Sequence, residues 1–350
     1  MKKALITIGI IILVLLSSFF GAYVYVKDQL GPVVEGEATE EVKITVPNGM
    51  SVSEVGDLLK EKGLIKNSKI FYYSVRFPFI LDIMFKDENA DNNFALKSGT
   101  YTVQNNLNVI EVQKLLSSGQ QEYVKISFPE GLTISKIANI LEDNGICSSS
   151  DFISASKDIN NVRKFNIEGD TLEGYLFPDT YFFTLNMDAD QIVEIMVDNF
   201  FEKIKSVENI PHDMKELHEI VKLASIVERE YRVADEAPLI ASVFKNRLRH
   251  NIGLYSCATI VYIMTEIQGR EHPKRVLISD TKIDSPYNTY LYAGLPPGPI
   301  SNPGLVALDA SVNTPKTDYY FFQIVDQNEG RHVFATTFDE HKINHTLNVK

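Results

Sequence analysis

The sequence ITVPNGMSVSEVGDLLKEKGLI at residues 44–65 recurs as ISFPEGLTISKIANILEDNGIC at residues 126–147, and this repeat decides how the chain is divided. Each copy is typical of a short strand, a Pro-x-Gly turn and a helix, with Ser51 or Thr133 as the N-cap. A glycine near the end of each copy fits the left-handed position that closes a helix. The identical pairs are Ile44/Ile126, Pro47/Pro129, Gly49/Gly131, Ser53/Ser135, Leu59/Leu141 and Gly63/Gly145.

The similarity extends beyond the two quoted segments. GTYTV at residues 99–103 precedes a helical pattern at 108–117, and PDTYFF at 178–183 precedes another at 190–206. A strand followed by a helix is predicted in both places. We therefore predict two related units, each built of a strand, helices, a strand and a helix, the second of them within residues 126–200.

The N-terminus carries a long apolar segment. Residues 4–26 contain no charge and would form a helix of roughly 34 Å, enough to span a bilayer. Lys2 and Lys3 precede it, so residues 1–3 are predicted to be cytoplasmic and the rest of the chain to lie outside. A cleaved signal peptide is the competing interpretation, but no A-x-A-like site follows the segment. We expect an uncleaved anchor in the cell membrane, followed by a tether at residues 27–43.

The composition excludes several classes of function. The formal net charge of −12 at pH 7 repels nucleic acid and, for the chain as a whole, anionic lipid headgroups, so neither is predicted as a partner. Cys147 and Cys257 are too few for a disulfide framework, although a bond between them stays open. The seven histidines lack the spacing of a metal site, and no nucleotide-binding glycine motif occurs. No metal or cofactor is predicted.

The C-terminal half is predicted to mix helices with a hairpin. Two closely spaced helical patterns lie near residues 213–231 and 235–250, and Pro238 fits the first turn of the second. DYYFFQIVD and RHVFATT, joined by QNEG, are typical of a hairpin. The predicted fold class is α+β, with domains at residues 44–122 and 123–350.

LASIVEREY at residues 223–231 places a glutamate within the apolar face of a helix. Glu228 lies inside the apolar sector, whereas Lys222 and Arg229 are predicted to face water and Glu230 to lie at the border. A carboxyl group that loses hydration must be paired or keep its proton through a raised pKa, as a general acid for glycosidic cleavage does. The alternative is a glutamate that reaches solvent from the edge of the face or pairs with an arginine.

Ordinary hydrolysis of a glycosidic bond also uses a second carboxylate. Its position is not singled out by any spacing in the sequence. Each candidate is also typical of a helix cap, a turn residue or a solvated charge. The candidates are Glu173, Asp179, Glu230, Asp235 and Glu236.

Two loop segments are candidates for the wall of a glycan groove, YNTY at residues 287–290 and GLPPGPISNPG at 294–304. Tyr287 and Tyr290 offer rings that stack on sugars, and Asn288 offers an amide for hydroxyl or acetamido groups. The alternative is a structural loop packed by its own prolines. Composition alone does not decide between them.

Eight segments in this order resemble the YceG-like, or MltG, family of endolytic murein transglycosylases. They cover nearly the whole chain after the anchor, and their shared order makes the resemblance specific. The segments are PNGMSVSEVGDLL (47–59), SGTY (98–101), EGYLFPDTY (173–181), LASIVERE (223–230), ASVFKNRL (241–248), SPYNTY (285–290), GLPPGPISNPG (294–304) and GRHVFATTFDEH (330–341).

The resemblance implies a membrane-anchored enzyme with a LysM-like region at 44–122 and a catalytic domain at 123–350 that cuts peptidoglycan glycan strands internally. It implies that Glu228 is the single catalytic residue, first as acid and then as base, leaving 1,6-anhydroMurNAc ends. Cell-wall synthesis enzymes are then expected partners. The residues that the resemblance places along the glycan are Tyr287, Asn288, Tyr290, Gly294, Pro296, Pro297, Glu173 and Tyr181.

Two positions depart from the family pattern. LYSCAT at residues 254–259 stands where the family often has LQSDPT, so Cys257 replaces an aspartate and no role of that aspartate is carried over. Tyr231 stands where a small residue is common. Two other functions stay open, namely a glycan-binding scaffold without catalysis and a muramidase with two carboxylates.

Overall fold

A computed structural model describes residues 2–37, 40–47, 49–85, 94–118, 123–326 and 328–348. By its internal contacts the chain forms two units, residues 1–124 with 184–187 and residues 125–183 with 188–350. Position 48 of the first predicted turn and the predicted domain end at 122 lie outside the described residues. The α+β class predicted from the sequence is confirmed.

Helix α1 (Lys2–Leu30) contains the predicted membrane span. Within the described part of the chain it is the helix long and apolar enough to cross a bilayer, with Ile6–Leu30 as the candidate span. The tether predicted at residues 27–43 begins within α1. Helix α1 continues to Leu30, whose side chain is fully buried in the core of the first unit.

The first unit has the predicted order of a strand, helices, a strand and a helix. The two strands pair antiparallel, with Ile44 opposite Tyr101, and both side chains are buried. The predicted capping box is confirmed, because Ser51 accepts from the Glu54 N–H and the Glu54 carboxylate accepts from the Ser51 N–H. The elements are β1 (Glu41–Val46), α2 (Val52–Glu61), α3 (Ser68–Arg76), α4 (Phe79–Phe85), β2 (Gly99–Gln104) and α5 (Val109–Ser118).

The second repeat has the same order of elements. Gly63 and Gly145, with φ of +70° and +68°, occupy the left-handed position predicted at the end of each first helix. Thr133 is the N-cap residue of α6 but makes no side-chain capping bond. The elements are β3 (Tyr123–Ser127), α6 (Ile134–Asp143), α7 (Ser149–Lys157), α8 (Ile159–Lys164), β4 (Thr180–Thr184) and α9 (Ala189–Lys203), and β3 pairs with β4.

The remaining elements complete the second unit around a central helix, α10. Helix α10 packs against α11, α12 and α13, so it is covered on several sides. The predicted C-terminal hairpin is confirmed as β5 and β6, with Phe322 opposite Phe334. The elements are α10 (Met214–Glu230), α11 (Ala237–Arg249), α12 (Cys257–Tyr262), α13 (Leu305–Val312), β5 (Phe321–Asp326), β6 (Arg331–Ala335) and α14 (Phe338–Asn348).

Candidate active site

Helix α10 is buried on more faces than the sequence predicted. Lys222 is buried and forms an ion pair with Glu219, and Arg229 is half-buried with its guanidinium 3.4 Å from the Gly131 carbonyl oxygen. The prediction that Lys222 and Arg229 face water is therefore wrong. A helical wheel describes one helix, whereas this one is enclosed by three other helices and by the turn of the second repeat.

Glu228 lies in the last turn of α10 with its carboxyl group half-buried. Its Oε2 accepts a hydrogen bond of 2.9 Å from the Gly304 N–H, and the Tyr231 hydroxyl also hydrogen-bonds to it. Burial is the main cause that raises the pKa of Glu228 above its ordinary value, and the nearby charge of Glu130 raises it further. The two hydrogen bonds act in the opposite direction because they stabilise the ionised form.

The Pro-Glu-Gly turn of the second repeat forms one side of this site. Gly131 has a φ of +77°, and a Cβ there would lie 3.6 Å from Cγ of Glu228. A Cβ on Gly304 would lie 2.6 Å from Cγ of Glu130, so the Glu130 side chain covers the residue that binds Glu228. Glu130 was not identified from the sequence. The available signal was that Glu130 is a carboxylate at the repeat position where the first copy has Asn48.

Asn302 joins three segments of the chain around Glu228. Its side-chain oxygen accepts from the N–H groups of Gly174 and Leu176, both at 2.9 Å. Its side-chain nitrogen donates to the Leu132 carbonyl at 3.0 Å and to the Glu173 carboxylate at 2.8 Å. The loop at 294–304 was predicted from sequence, but no signal in it marked Asn302 as the residue that fixes it to the second repeat.

Glu173 supports α6 and is not exposed to a substrate. Only 4% of its surface is exposed, and its carboxylate accepts from the Ile134 N–H, a donor in the first turn of α6 that has no partner within the helix. Burial is the largest effect on this group and raises its pKa to about 8, against the opposing effect of the hydrogen bonds from Ile134 and Asn302. These contacts favour a structural role for Glu173, and its contact with glycan stays a prediction.

Tyr181 and Asn288 are also buried, and their polar side-chain groups form hydrogen bonds within the protein. The Tyr181 hydroxyl donates to the Phe177 carbonyl at 2.7 Å and accepts from the side-chain amide of Asn199 at 2.9 Å. The Asn288 amide donates to two backbone carbonyls at 3.0 and 2.7 Å and accepts from the Tyr290 N–H at 2.9 Å. These bonds favour a structural role for both side chains, and their contacts with substrate stay predictions.

Tyr287 and Tyr290 remain half-exposed candidates. Tyr287 packs against Tyr262, with the ring centroids 5.1 Å apart. Tyr290 packs against Tyr255 at 5.5 Å, and its hydroxyl lies 3.1 Å from Sγ of Cys257. Stacking on a sugar therefore stays a prediction for both rings.

The first half of the 294–304 loop lies near Lys215 and His218, whereas its last residue contacts Glu228. Gly294 has a φ of +104° and Pro296 is buried, which fits a tight turn. Pro297 is exposed and lines a cavity of about 430 Å³ together with Lys215 and His218. Glycan contact by Gly294, Pro296 and Pro297 stays a prediction, whereas the end of the loop at Gly304 binds Glu228 directly.

The candidates for a second carboxylate each have a local partner. Glu230 accepts from the Ser256 hydroxyl at the edge of a cavity of about 540 Å³, and burial is the main cause that raises its pKa. Asp179 pairs with Lys203, Asp235 with Arg331, and Glu236 with His332. Glu173 accepts hydrogen bonds from the Ile134 N–H and the Asn302 side-chain amide. These contacts favour the structural interpretation of all five residues.

The two cysteines are both free, so the bond left open by the sequence is not formed. Cys147 is half-buried, and burial raises its pKa to about 11. Cys257 is exposed at the N-terminus of α12 beside Tyr290. In the part of the chain that the structure describes, no group of three or more His, Cys, Asp or Glu side chains is placed to hold a metal ion.

Comparison with known proteins identifies the family. The sequence model of the YceG-like family matches residues 44–346, which include both repeats and the surroundings of Glu228. The chain belongs to the YceG-like family. A crystal structure of a YceG-like protein from Listeria monocytogenes has a TM-score of 0.56 and 29% identity, covering 87% of this chain and 99% of that one.

Two named relatives of this YceG-like chain are bacterial. A Bacillus subtilis protein named endolytic murein transglycosylase is 32% identical over 341 residues, which cover 92% of this chain and 88% of the relative. A Streptococcus pneumoniae protein of the same name is 29% identical and is covered over 64% of its length, so it is substantially longer.

Proposed function

We propose that this chain is a membrane-anchored enzyme that cuts the bond between MurNAc and GlcNAc inside peptidoglycan glycan strands. The observation that carries the proposal is the carboxyl group of Glu228, which burial keeps protonated to higher pH and which the Gly304 N–H holds in place. The two relatives named endolytic murein transglycosylase support a reaction on the same substrate.

In the proposed mechanism Glu228 acts twice. It first donates its proton to the oxygen between the two sugars as that bond breaks, leaving oxocarbenium-like charge at C1 of MurNAc. The Glu228 carboxylate then removes the proton of the MurNAc C6 hydroxyl, whose oxygen bonds to C1. The residue regains its proton, no water is consumed, and the new end is 1,6-anhydroMurNAc.

The neighbours of Glu228 suit a group that must both donate and accept a proton. Burial and the charge of Glu130 favour the protonated form needed in the first step. The Gly304 N–H and the Tyr231 hydroxyl favour the carboxylate needed in the second. Tyr231, a departure from the family pattern, thus has a role beside the proposed catalytic residue.

These opposing neighbours predict opposite shifts in pH dependence. Tyr231→Phe removes a bond to the carboxylate, so the pKa of Glu228 rises and the alkaline limb of kcat/KM moves to higher pH. Glu130→Gln removes a negative charge, so that pKa falls and the limb moves to lower pH. The measurement is kcat/KM on peptidoglycan against pH for both variants, and shifts in the same direction would contradict this account of the site.

A muramidase is the second candidate, and Glu130 is the observation that favours it. Its side chain lies over Gly304, the residue that binds Glu228, so a second carboxylate is present beside the first. With Glu130 as the base, a water molecule would attack C1 and leave a reducing MurNAc end. Glu130 is exposed, however, and has no partner that would fix it on a water molecule among its described contacts.

Mass spectrometry of the released glycan ends separates the two reactions. The full chain in detergent is incubated with purified peptidoglycan, and Glu130→Gln is compared with the parent. If the chain is a transglycosylase, the parent is expected to release glycan ends that lack one water molecule. Glu130→Gln is expected to release the same ends. Hydrated reducing ends that disappear in Glu130→Gln would establish the muramidase instead. Binding of glycan without any release would favour the scaffold.

The proposal includes the topology and the first unit. Lys2 and Lys3 precede the span of α1, so we place residues 1–3 in the cytoplasm and the two units outside. Residues 44–122 form the LysM-like region and residues 123–350 the catalytic domain in this proposal. Enzymes of cell-wall synthesis are its proposed partners.

A further inference from the structure

The first unit carries an exposed aromatic surface that the proposed reaction does not use. We call it the aromatic face, and each of its side chains is more than a third exposed, with Phe79 at 57%. Soluble proteins seldom leave such a contiguous apolar patch in water without a partner. The aromatic face consists of Tyr72 and Tyr73 on α3, Phe77 after it, and Phe79 and Ile83 on α4.

Neighbouring rings of the aromatic face contact one another. The centroids are 5.5 Å apart for Tyr72 and Tyr73, 6.4 Å for Tyr73 and Phe77, and 6.1 Å for Phe77 and Phe79. The patch is therefore continuous from α3 to α4. Its inner side is fixed, because Phe71 is fully buried in the core of the first unit.

The aromatic face begins on α3, the helix against which α1 packs, and continues onto α4, which packs against α3. Helix α1 packs against α3, and Asp28 near its end forms an ion pair of 3.0 Å with Lys66. Val26 packs against the core of the first unit, and Leu30 is buried within it. Val26 is also the last residue of the uncharged stretch, and one helical turn, roughly 6 Å, separates it from Leu30. The folded unit thus begins where the apolar span ends.

A unit built onto the last turn of a membrane-spanning helix is held against the bilayer surface. Tyrosine is stable in the headgroup layer, where its ring is in apolar surroundings and its hydroxyl is hydrated. Phenylalanine and isoleucine side chains are buried at the boundary between the headgroups and the acyl chains. Lys69 and Arg76, at the two ends of α3, are exposed and match the phosphates of lipid headgroups. A lipid surface therefore accounts for the apolar rings and the flanking cations together.

We propose that the aromatic face lies in the headgroup layer of the membrane that α1 crosses. This inference rests on the membrane anchoring proposed above. A second copy of the chain or another protein would also cover apolar rings, but it would not explain why they lie on the helix that packs against the anchor and on the helix next to it. The attachment would fix the first unit on the bilayer at two places, α1 and the aromatic face.

The sequence contains no tryptophan, so a single introduced tryptophan reports its own surroundings. Full-length Phe79→Trp is reconstituted in vesicles of phosphatidylglycerol and phosphatidylcholine, with and without bromine on the acyl chains. Phe19→Trp, in the exposed apolar part of α1, is the control for insertion, and Phe182→Trp, exposed in the second unit, is the control for water. Tyr73→Trp is a second reporter if Phe79→Trp does not fold.

The expected result is emission at shorter wavelength for Phe79→Trp than for Phe182→Trp, with quenching by brominated lipid at least about twofold greater. Quenching of Phe19→Trp but not of Phe79→Trp or Tyr73→Trp would overturn the inference and leave the anchor intact. Short-wavelength emission without quenching would show that protein covers the face, which also overturns it. An unquenched Phe19→Trp would overturn the anchor and the inference together.

Discussion

Replacing Glu228 by glutamine is expected to lower the rate of glycan-strand cleavage by about 10²- to 10⁴-fold, the usual effect of losing a general acid-base group. The substitution keeps the shape of the side chain, and its amide oxygen still accepts from the Gly304 N–H. It removes the proton that must reach the leaving oxygen. The measurement is the release of new glycan ends from peptidoglycan over time, at equal concentrations of full-length protein.

Two controls separate a chemical loss from a structural one. Glu216→Gln changes an exposed carboxylate in the first turn of the same helix and is expected to cleave at the parental rate. Glu228→Gln is expected to melt at or above the parental temperature, because a neutral amide replaces a carboxyl group whose ionised form burial disfavours. Parental cleavage by folded Glu228→Gln would remove this residue from the mechanism and favour another carboxylate.

The sequence predicted the local features of this fold because they depend on neighbouring residues. Ser51 and Glu54 form their capping box within one turn, and Gly63 and Gly145 adopt the left-handed backbone that few other residues tolerate. The placement of Glu228 in a partly buried position also came from the period of a single helix. None of these predictions required knowledge of which segments meet.

The features that were missed or wrongly assigned depend on contacts between distant segments. A helical wheel predicts that the side chains of Lys222 and Arg229 face water, because it does not include the helices and turns packed around α10. Glu130 reaches the site only because the second repeat folds against the loop that ends at Gly304. In the sequence, Asn302 is not distinguished from any other asparagine of a turn. Its importance follows from four side-chain hydrogen bonds, which only the structure shows.

The predicted substrate contacts show the limit of a motif as evidence of function. Glu173, Tyr181 and Asn288 lie in segments that identify the family, but their polar groups bind backbone and neighbouring side chains. A segment can be characteristic of a family because it shapes the site rather than because it touches the substrate. The distinction depends on burial and on satisfied hydrogen bonds, which sequence alone does not give.

Replacing Asn302 by alanine is expected to lower the free energy of unfolding of the second unit by about 4 kcal/mol, the largest stability effect predicted for this chain. The change leaves the buried N–H groups of Gly174 and Leu176 without their acceptor, and it removes a donor from Glu173. For a unit of this size the melting temperature should fall by about 10 °C. Thermal unfolding followed by circular dichroism measures the shift, and Asn160→Ala, at an exposed position on α8, should change it little.

The matched substitution Asn302→Asp tests whether the side-chain oxygen or the side-chain NH2 group of Asn302 contributes more to stability. Aspartate keeps an acceptor for Gly174 and Leu176 but replaces the donor to Glu173 with a second carboxyl group, so one proton is needed between the two. Burial already raises the pKa of Glu173 to about 8, and a second acid beside it favours the protonated form further. A folded state that holds extra protons loses stability as pH rises. The parent already holds a proton on Glu173 up to about pH 8, whereas the pair in Asn302→Asp holds its shared proton to higher pH, so the defect relative to the parent should grow above about pH 8. A defect that is equal to that of Asn302→Ala and independent of pH would mean that this pair of side chains does not share a proton.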